Sequence, residues 1–102
     1  MAKPWYSTKT ATTVSDDGDG WMACVYHQTK VVRWDRDTRG VAVLNSGGHR
    51  TATTKARMNE VSKHYDLGFH VFQTGGNWFV TDHNGHTVPY VDGVEVFVPY
   101  AS

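Results

Sequence analysis

The chain has 102 residues, ten basic and ten acidic, and a formal net charge of zero. This length provides one modest core, so we expect a single domain over residues 1–102, with the first dozen residues loosely held. The neutral balance excludes a general attraction to nucleic acid or anionic membranes, and any such attraction requires a local patch. Hydrophobic residues make up 39% of the sequence, which is enough for a folded globule.

The cysteine content and the N-terminal residues indicate the compartment. Cys24 is the one cysteine in the sequence, which excludes an internal disulfide. The opening residues lack the apolar core of a signal peptide, and no run is long enough to span a bilayer. We therefore predict a protein of a reducing cytoplasm, which is the host cytoplasm if the chain is viral, with no membrane partner.

The N-terminal part of the chain has the pattern of an antiparallel β-meander. Turn signals stand at residues 15–20 and 35–40. Runs rich in β-branched and aromatic residues occupy 21–27, 31–34 and 40–45. These three runs predict three consecutive strands.

One segment predicts a helix, from about Thr53 to Tyr65. Met58 and Val61 lie at helical spacing with Tyr65 and form a narrow apolar stripe, while the other face is polar. Gly68 follows at a position where a left-handed residue closes a helix. We expect this helix to pack on a sheet with one face in water.

The C-terminal part predicts a second antiparallel meander. Its strand-like runs are 69–74, 77–82, 86–91 and 94–100. Asn84-Gly85 and Asp92-Gly93 are two-residue hairpin signals. Pro89 cannot donate a ladder hydrogen bond, so we place its strand at an edge or a bulge. The predicted fold class is therefore α+β, with antiparallel β-meanders and a single helix at about 53–65 packed on the sheet.

The start of the predicted helix has an unusual composition, "SGGHRTATTKARMN", at residues 46–59. A cation near a helix N-terminus costs about 0.3–1 kcal/mol unless an anion compensates it. First-turn amides, threonine hydroxyls and glycines that permit close approach together favour an anion. The predicted binding residues for phosphate or nucleic acid are Gly47, Gly48, Arg50, Thr51, Thr53, Thr54, Lys55 and Arg57. The alternative is that the glycines only turn the chain, a threonine caps the helix and the cations are solvated.

Metal and catalytic chemistry are weakly indicated. Cys24, His27, His83 and His86 have a superficial zinc-ligand spacing. On a regular strand Cys24 and His27 face opposite sides, whereas His83 and His86 flank the Asn84-Gly85 turn on one face. We predict no metal and no cofactor, with this four-residue zinc site as the alternative. Cys24 lies in an apolar run and no triad motif is present, so we predict no enzymatic activity.

Residues 43–80 contain an LNSGG-x-x-T-x-TTK-x-RMN stretch, an LGF-x-V segment and a W-F-V strand. In these motifs the chain resembles small bacteriophage-encoded proteins without an assigned activity. The resemblance implies a viral setting and a small accessory role, and it brings no catalytic or binding residues with it.

Three functions remain open. The first is a non-enzymatic accessory protein that binds nucleic acid or a phosphate-bearing ligand at the Gly-Gly segment and helix start. The second is an inhibitor that binds a host enzyme or defence system, such as an anti-CRISPR-like protein. Neutral charge and many aromatics suit such a contact surface. Either Trp78 or Phe79 faces away from the core of its sheet and is a candidate for base stacking or a protein contact, unless a second layer covers that face. The third is a minor virion component. The sequence leaves the ligand, the host partner and the oligomeric state open.

Overall fold

The computed structural model describes residues 12–35 and 39–100. The elements are β1 (Thr12–Asp16), β2 (Trp21–Tyr26), β3 (Thr29–Asp35), β4 (Arg39–Leu44), α1 (Ala52–His64), β5 (His70–Thr74), β6 (Asn77–Thr81), β7 (Thr87–Pro89) and β8 (Val94–Tyr100). All strand pairs are antiparallel. The protein therefore has the α+β fold that the sequence predicts, with a single helix in the described part of the chain.

The first sheet has five strands in the order β1-β2-β3-β4-β8. Its last member corrects the sequence prediction, which placed all four C-terminal strands in one meander. Strand β8 pairs with β4, with Val41 opposite Phe97. The turn at Asp92-Gly93 carries the chain from one sheet to the other and does not form a hairpin. Sequence alternation could not show this, because a strand with one buried face has the same period in either sheet.

Strand β1 is an element that the sequence analysis missed. It pairs with β2 along its whole length, with Thr12 opposite Tyr26 and Val14 opposite Cys24. Thr12 is fully buried, whereas residues 1–11 of the segment expected to be loosely held lie outside the described residues. The strand TTVSD is short and mostly polar, so propensity alone gives a weak signal.

The second sheet has three strands in the order β5-β6-β7. Strand β7 lies at its edge and ends at Pro89, which confirms the edge position predicted from the missing donor. Trp78 and Val80 of β6 are buried on one face, while Phe79 stacks on Phe72 of β5 on the other, with ring centroids 5.7 Å apart.

The turn between β6 and β7 differs from the predicted two-residue hairpin. The Asp82 amide donates to the His86 carbonyl at 2.9 Å, so these two residues close a longer loop. The Asp82 carboxylate accepts from the backbone amides of Asn84 and His86 at 2.9 and 3.0 Å. Asp82 and His86 therefore flank the loop and His83 lies within it, so the prediction that His83 and His86 flank the turn is wrong.

Helix α1 begins and ends one residue earlier than predicted. Thr51 is its N-cap and accepts a hydrogen bond from the Thr54 amide at 3.2 Å. Met58 and Val61 are fully buried in a core cluster that includes residues of both sheets. The helix contacts β2, β3 and β5, so it packs against both sheets.

Candidate functional site

The loop before α1 folds back on itself through short hydrogen bonds. The Gly47 amide donates to Asn45 Oδ1 at 2.7 Å, and the Gly48 amide donates to Ser46 Oγ at 3.2 Å. Both glycines have positive φ, 64° and 83°. A Cβ on Gly47 would lie 2.4 Å from Thr29 Oγ1. Glycine is therefore required at 47 by close packing as well as by backbone conformation.

Asp92, in the turn before β8, is hydrogen-bonded to this loop. Its Oδ1 accepts from the Ser46 amide at 2.9 Å, the Ser46 hydroxyl at 2.7 Å and the Tyr90 hydroxyl at 2.8 Å. Desolvation raises the pKa of Asp92, but these hydrogen bonds outweigh it and hold the pKa below its ordinary value. Burial and the Asp92 carboxylate raise the pKa of Tyr90 above its ordinary value. The sequence analysis interpreted Asp92 only as a turn residue and missed this role.

A cleft of about 790 Å³ opens between this loop, the turn from β2 to β3 and the first turn of α1. Its lining residues are Tyr26, His27, Gln28, Thr29, Val31, Ser46, Gly47, His49, Thr51 and Thr54. They supply hydroxyl, imidazole and amide groups but no lysine, arginine or carboxylate. The first turn of α1 contains no acidic residue. The amides of Ala52 and Thr53 have no acceptor within the helix. The cleft therefore borders the positive end of the helix dipole.

The predicted binding residues divide between the cleft and its surroundings. Gly47, Thr51 and Thr54 line the cleft. The hydroxyls of Thr51 and Thr54 are 3.1 Å apart and bond each other. Gly48 and Thr53 are exposed outside the lining. The sequence missed the contribution of the turn from β2 to β3, because that turn is distant from the loop in the chain.

Two of the three predicted cations lie over aromatic rings. One ring belongs to β6 of the second sheet, and the other follows β7. The Arg50 guanidinium lies 5.1 Å from the Tyr90 ring centroid, and the Lys55 ammonium lies 5.8 Å from the Trp78 ring centroid. The two rings meet edge to face, with centroids 5.4 Å apart. Trp78 is 5% exposed and Tyr90 is 3% exposed. Cation–π attraction within the protein thus gives both cations a structural reason to stand near the helix start.

The third cation, Arg57, has partners on the other side of the helix. Its guanidinium pairs with Glu60 at 2.6 Å and donates to the Thr12 hydroxyl at 3.1 Å. It also lies 5.8 Å from the ring centroid of Tyr26, a cleft residue. The Tyr26 and His27 rings are 4.4 Å apart. Arg57 is therefore next to the cleft only through Tyr26 and is not part of its lining.

The four residues of the alternative zinc site are not brought together. Cys24 is fully buried, and burial raises the pKa of its thiol to about 11. His27 lies in an exposed turn with a positive φ of 57°. His83 packs against Gly68, where a Cβ would lie 2.6 Å from the His83 Cβ. In residues 12–35 and 39–100, no group of three or more histidine, cysteine or acidic residues is placed to hold a metal.

Comparison with known proteins places the chain among phage proteins. A family model described as Kyanoviridae Gp96 protein matches residues 1–97. No curated protein and no solved structure matches the chain significantly. Among the described residues, no helix is long and apolar enough to cross a membrane. The phage origin implied by the sequence resemblance is thus confirmed.

Proposed function

Because the chain belongs to the Kyanoviridae Gp96 family of phage proteins, we propose that it is a non-enzymatic accessory protein that binds a small phosphate-bearing ligand. The observation that carries this proposal is the cleft of about 790 Å³ at the positive end of α1. Helix N-termini favour phosphate groups through their free amides and their dipole. We place this activity in the cytoplasm of the infected host.

The size and lining of the cleft support a ligand about as large as a nucleotide. Ligand pockets have volumes of about 300–1,000 Å³, and this cleft falls in that range. His27, Gln28 and His49 are exposed side chains that offer nitrogen donors to an anion or to a polar ring. Tyr26 and Val31 give one part of the lining an apolar character suited to a flat organic group.

The placement of the cations favours a small ligand over a long nucleic acid. A nucleic-acid groove neutralises several successive phosphates with lysine and arginine. Here Arg50 and Lys55 cover the Tyr90 and Trp78 rings. Binding of nucleic acid through the full set of predicted residues stays a prediction.

The absence of a prepared nucleophile in the cleft supports a binding role rather than catalysis. Cys24 does not line the cleft, and its raised thiol pKa disfavours the reactive thiolate. The serine of the lining, Ser46, donates its hydroxyl to Asp92 and is held in the loop by that bond. We therefore interpret the cleft as a recognition site.

Thermal unfolding with added ligand tests the proposal. Inorganic phosphate and adenosine monophosphate are each added at low salt, and the melting temperature is followed. Binding to the folded state raises the melting temperature. We expect His49→Ala, in the cleft lining, to raise the dissociation constant obtained from the shifts at least about twofold, which corresponds to about 0.4 kcal/mol of binding free energy. The matched control is His70→Ala, since His70 is also exposed but lies on β5. No shift with either compound, or equal loss in both variants, would contradict the proposal.

A second candidate function is the inhibitor that binds a host protein. It is favoured by large hydrophobic side chains at the surface, since Phe97 is 65% exposed and Val91 is 57% exposed. Affinity purification from infected cells, with Phe97→Asp compared with the natural chain, tests this function. A host protein that is retained by the natural chain and lost with the variant would support it, whereas equal recovery would not.

A further inference from the structure

The edge strands of the two sheets differ in how their unpaired backbone groups are protected. At β5 the Asn59 side chain bonds both the amide and the carbonyl of Val71, at 2.8 Å each. Strand β7 has three residues and ends at Pro89. Strand β1 has five residues, TTVSD, of which Val14 alone is a large apolar one. These three edges are thus blocked, short or polar.

Strand β8 is the exception among the edges in the described part of the chain. It has seven residues, Val94–Tyr100, and pairs on one side with β4. Its other side ends the five-stranded sheet. An edge of this length presents a row of N–H and C=O groups that can pair with another strand. Phe97, the middle residue, is 65% exposed.

We propose that β8 pairs with β8 of a second copy of the chain, antiparallel across a twofold axis at Phe97, so that two sheets become one. This inference does not rest on the ligand cleft. The partner strand is that of a second copy, because the sequence VEVFVPY is compatible with its own reversal about Phe97.

The side chains of β8 suit this self-pairing. In the twofold register Phe97 lies opposite its own copy, and Val96 lies opposite Val98 of the second copy. Val96 and Val98 are 4% and 1% exposed and face the core, so the buried layer of one subunit continues into the other. The two Phe97 rings meet on the outer face as a cross-strand aromatic pair.

The charges of β8 present no obstacle in the same register. Glu95 is the one charged residue of the strand. It lies opposite Pro99 of the second copy and not opposite the second Glu95, so like charges do not meet. The formal net charge of the chain is zero, and two copies do not repel each other overall. Pro99 lacks an amide hydrogen, which limits the new ladder to its central residues.

Sedimentation equilibrium over micromolar to millimolar concentrations tests the dimer. We expect the average mass to rise towards twice that of the chain. Phe97→Asp places two carboxylates on the axis and should leave a monomer at all these concentrations, with an unchanged far-ultraviolet circular dichroism spectrum. The matched control is Val88→Asp, since Val88 is also partly exposed, at 42%, but lies on β7. This control should dimerise like the natural chain.

Disulfide trapping tests the register. Opposite residues of an antiparallel pair have Cα atoms about 4.5–5.5 Å apart, within the range that a disulfide spans. With oxidised glutathione as the oxidant, Phe97→Cys should form a covalent dimer through Cys at the axis. Glu95→Cys, placed opposite Pro99, should not. The native Cys24 is fully buried and should not react.

Three outcomes would overturn the proposal. The natural chain could stay monomeric throughout the concentration range. This result would also hold if β8 paired with a host protein and not with a second copy. The dimer could persist in Phe97→Asp. The amides of β8 could exchange with deuterium at the same rate at all concentrations, which would indicate stacking of sheet faces and not pairing of edges. Slower exchange with rising concentration is the expected result.

Discussion

The two sides of the α1 N-terminus differ in what occupies them. On one side Arg50 and Lys55 lie over the rings of Tyr90 and Trp78, and the positive charges belong to the packing of the protein. On the other side a cleft is lined by hydroxyl, imidazole and amide groups without a lysine or arginine. Basic residues near a helix start can therefore have structural partners within the protein.

The side with Arg50, Lys55, Tyr90 and Trp78, called the cation side, has a structural role. It connects the helix start to the second sheet, while Asp92 connects the preceding loop to β8 through Ser46 and Tyr90. The cleft side has open space and exposed side chains. We therefore expect substitutions on the cation side to change mainly stability, and substitutions in the cleft to change mainly ligand binding.

The largest expected effect is that of Trp78→Ala on the cation side. Removing a buried tryptophan costs about 3–5 kcal/mol of unfolding free energy, because a cavity remains and packing is lost. Urea unfolding measures this loss, with far-ultraviolet circular dichroism as the signal because the variant lacks one tryptophan. The cleft control Gln28→Ala should change stability by less than about 0.5 kcal/mol, as exposed substitutions usually do. A loss below about 1 kcal/mol for Trp78→Ala would contradict the structural role of this side.

The next effect is that of Asp92→Ala. Ser46 and Tyr90 would each lose their acceptor, and leaving such donors unsatisfied costs about 1–3 kcal/mol. We expect the lower end of this range, since Asp92 is exposed and water can replace the carboxylate. The same urea unfolding measures it. Asp19→Asn is a control on an exposed turn residue and should be nearly neutral, since asparagine tolerates the positive φ of 54° at this position. Equal effects of the two changes would show that Asp92 does not fasten the loop.

A smaller effect is the pH dependence that Asp92 contributes. Its folded-state pKa is lowered, so the contribution is fully present above the unfolded pKa of about 3.9 and disappears as pH falls through the folded pKa. The stability advantage of the natural chain over Asp92→Asn should therefore shrink below about pH 4. Urea unfolding of both chains from neutral to acidic pH measures this difference. Asp17 and Asp82 also have lowered pKa values, so the variant keeps part of the acid sensitivity. A constant difference at all pH values would contradict the assignment.

The smallest effect is that of Lys55→Met. Losing a cation–π contact costs about 0.5–1 kcal/mol, while removing a cation from a helix start returns about 0.3–1 kcal/mol. The two terms nearly cancel, and we expect a net change below about 0.5 kcal/mol. The melting shift caused by adenosine monophosphate should stay the same. Its loss in this variant would show that the ligand uses the cation side, and the contrast between the two sides would then fail.

Local signals allowed much of the fold to be predicted. The helix was placed within one residue at each end, because the spacing of Met58 and Val61 and a threonine cap are properties of adjacent turns. The position of Pro89 at an edge followed from its missing donor. The pairing of β8 with β4 was missed, since it joins segments far apart in the chain and both sheets accept the same alternation.

The candidate site was predictable only in part for the same reason. Gly47, Thr51 and Thr54 line the cleft and were in the predicted set. The opposite wall, from Tyr26 to Thr29, comes from the turn between β2 and β3, and no local pattern links it to the glycines. The rings that hold Arg50 and Lys55 also belong to distant segments. No local pattern in the sequence could therefore show that aromatic rings lie beside these two cations.

The most direct test of the contrast is a titration of backbone amide signals by nuclear magnetic resonance. The natural chain is titrated with adenosine monophosphate and, separately, with inorganic phosphate at low salt. We predict that the signals of Thr29, Gly47 and His49 and of the first helical turn, Ala52 and Thr53, shift with a common dissociation constant. The side-chain signals of Trp78 should stay in place. Shifts concentrated around Trp78 and Tyr90, or no saturable shift anywhere, would contradict the account.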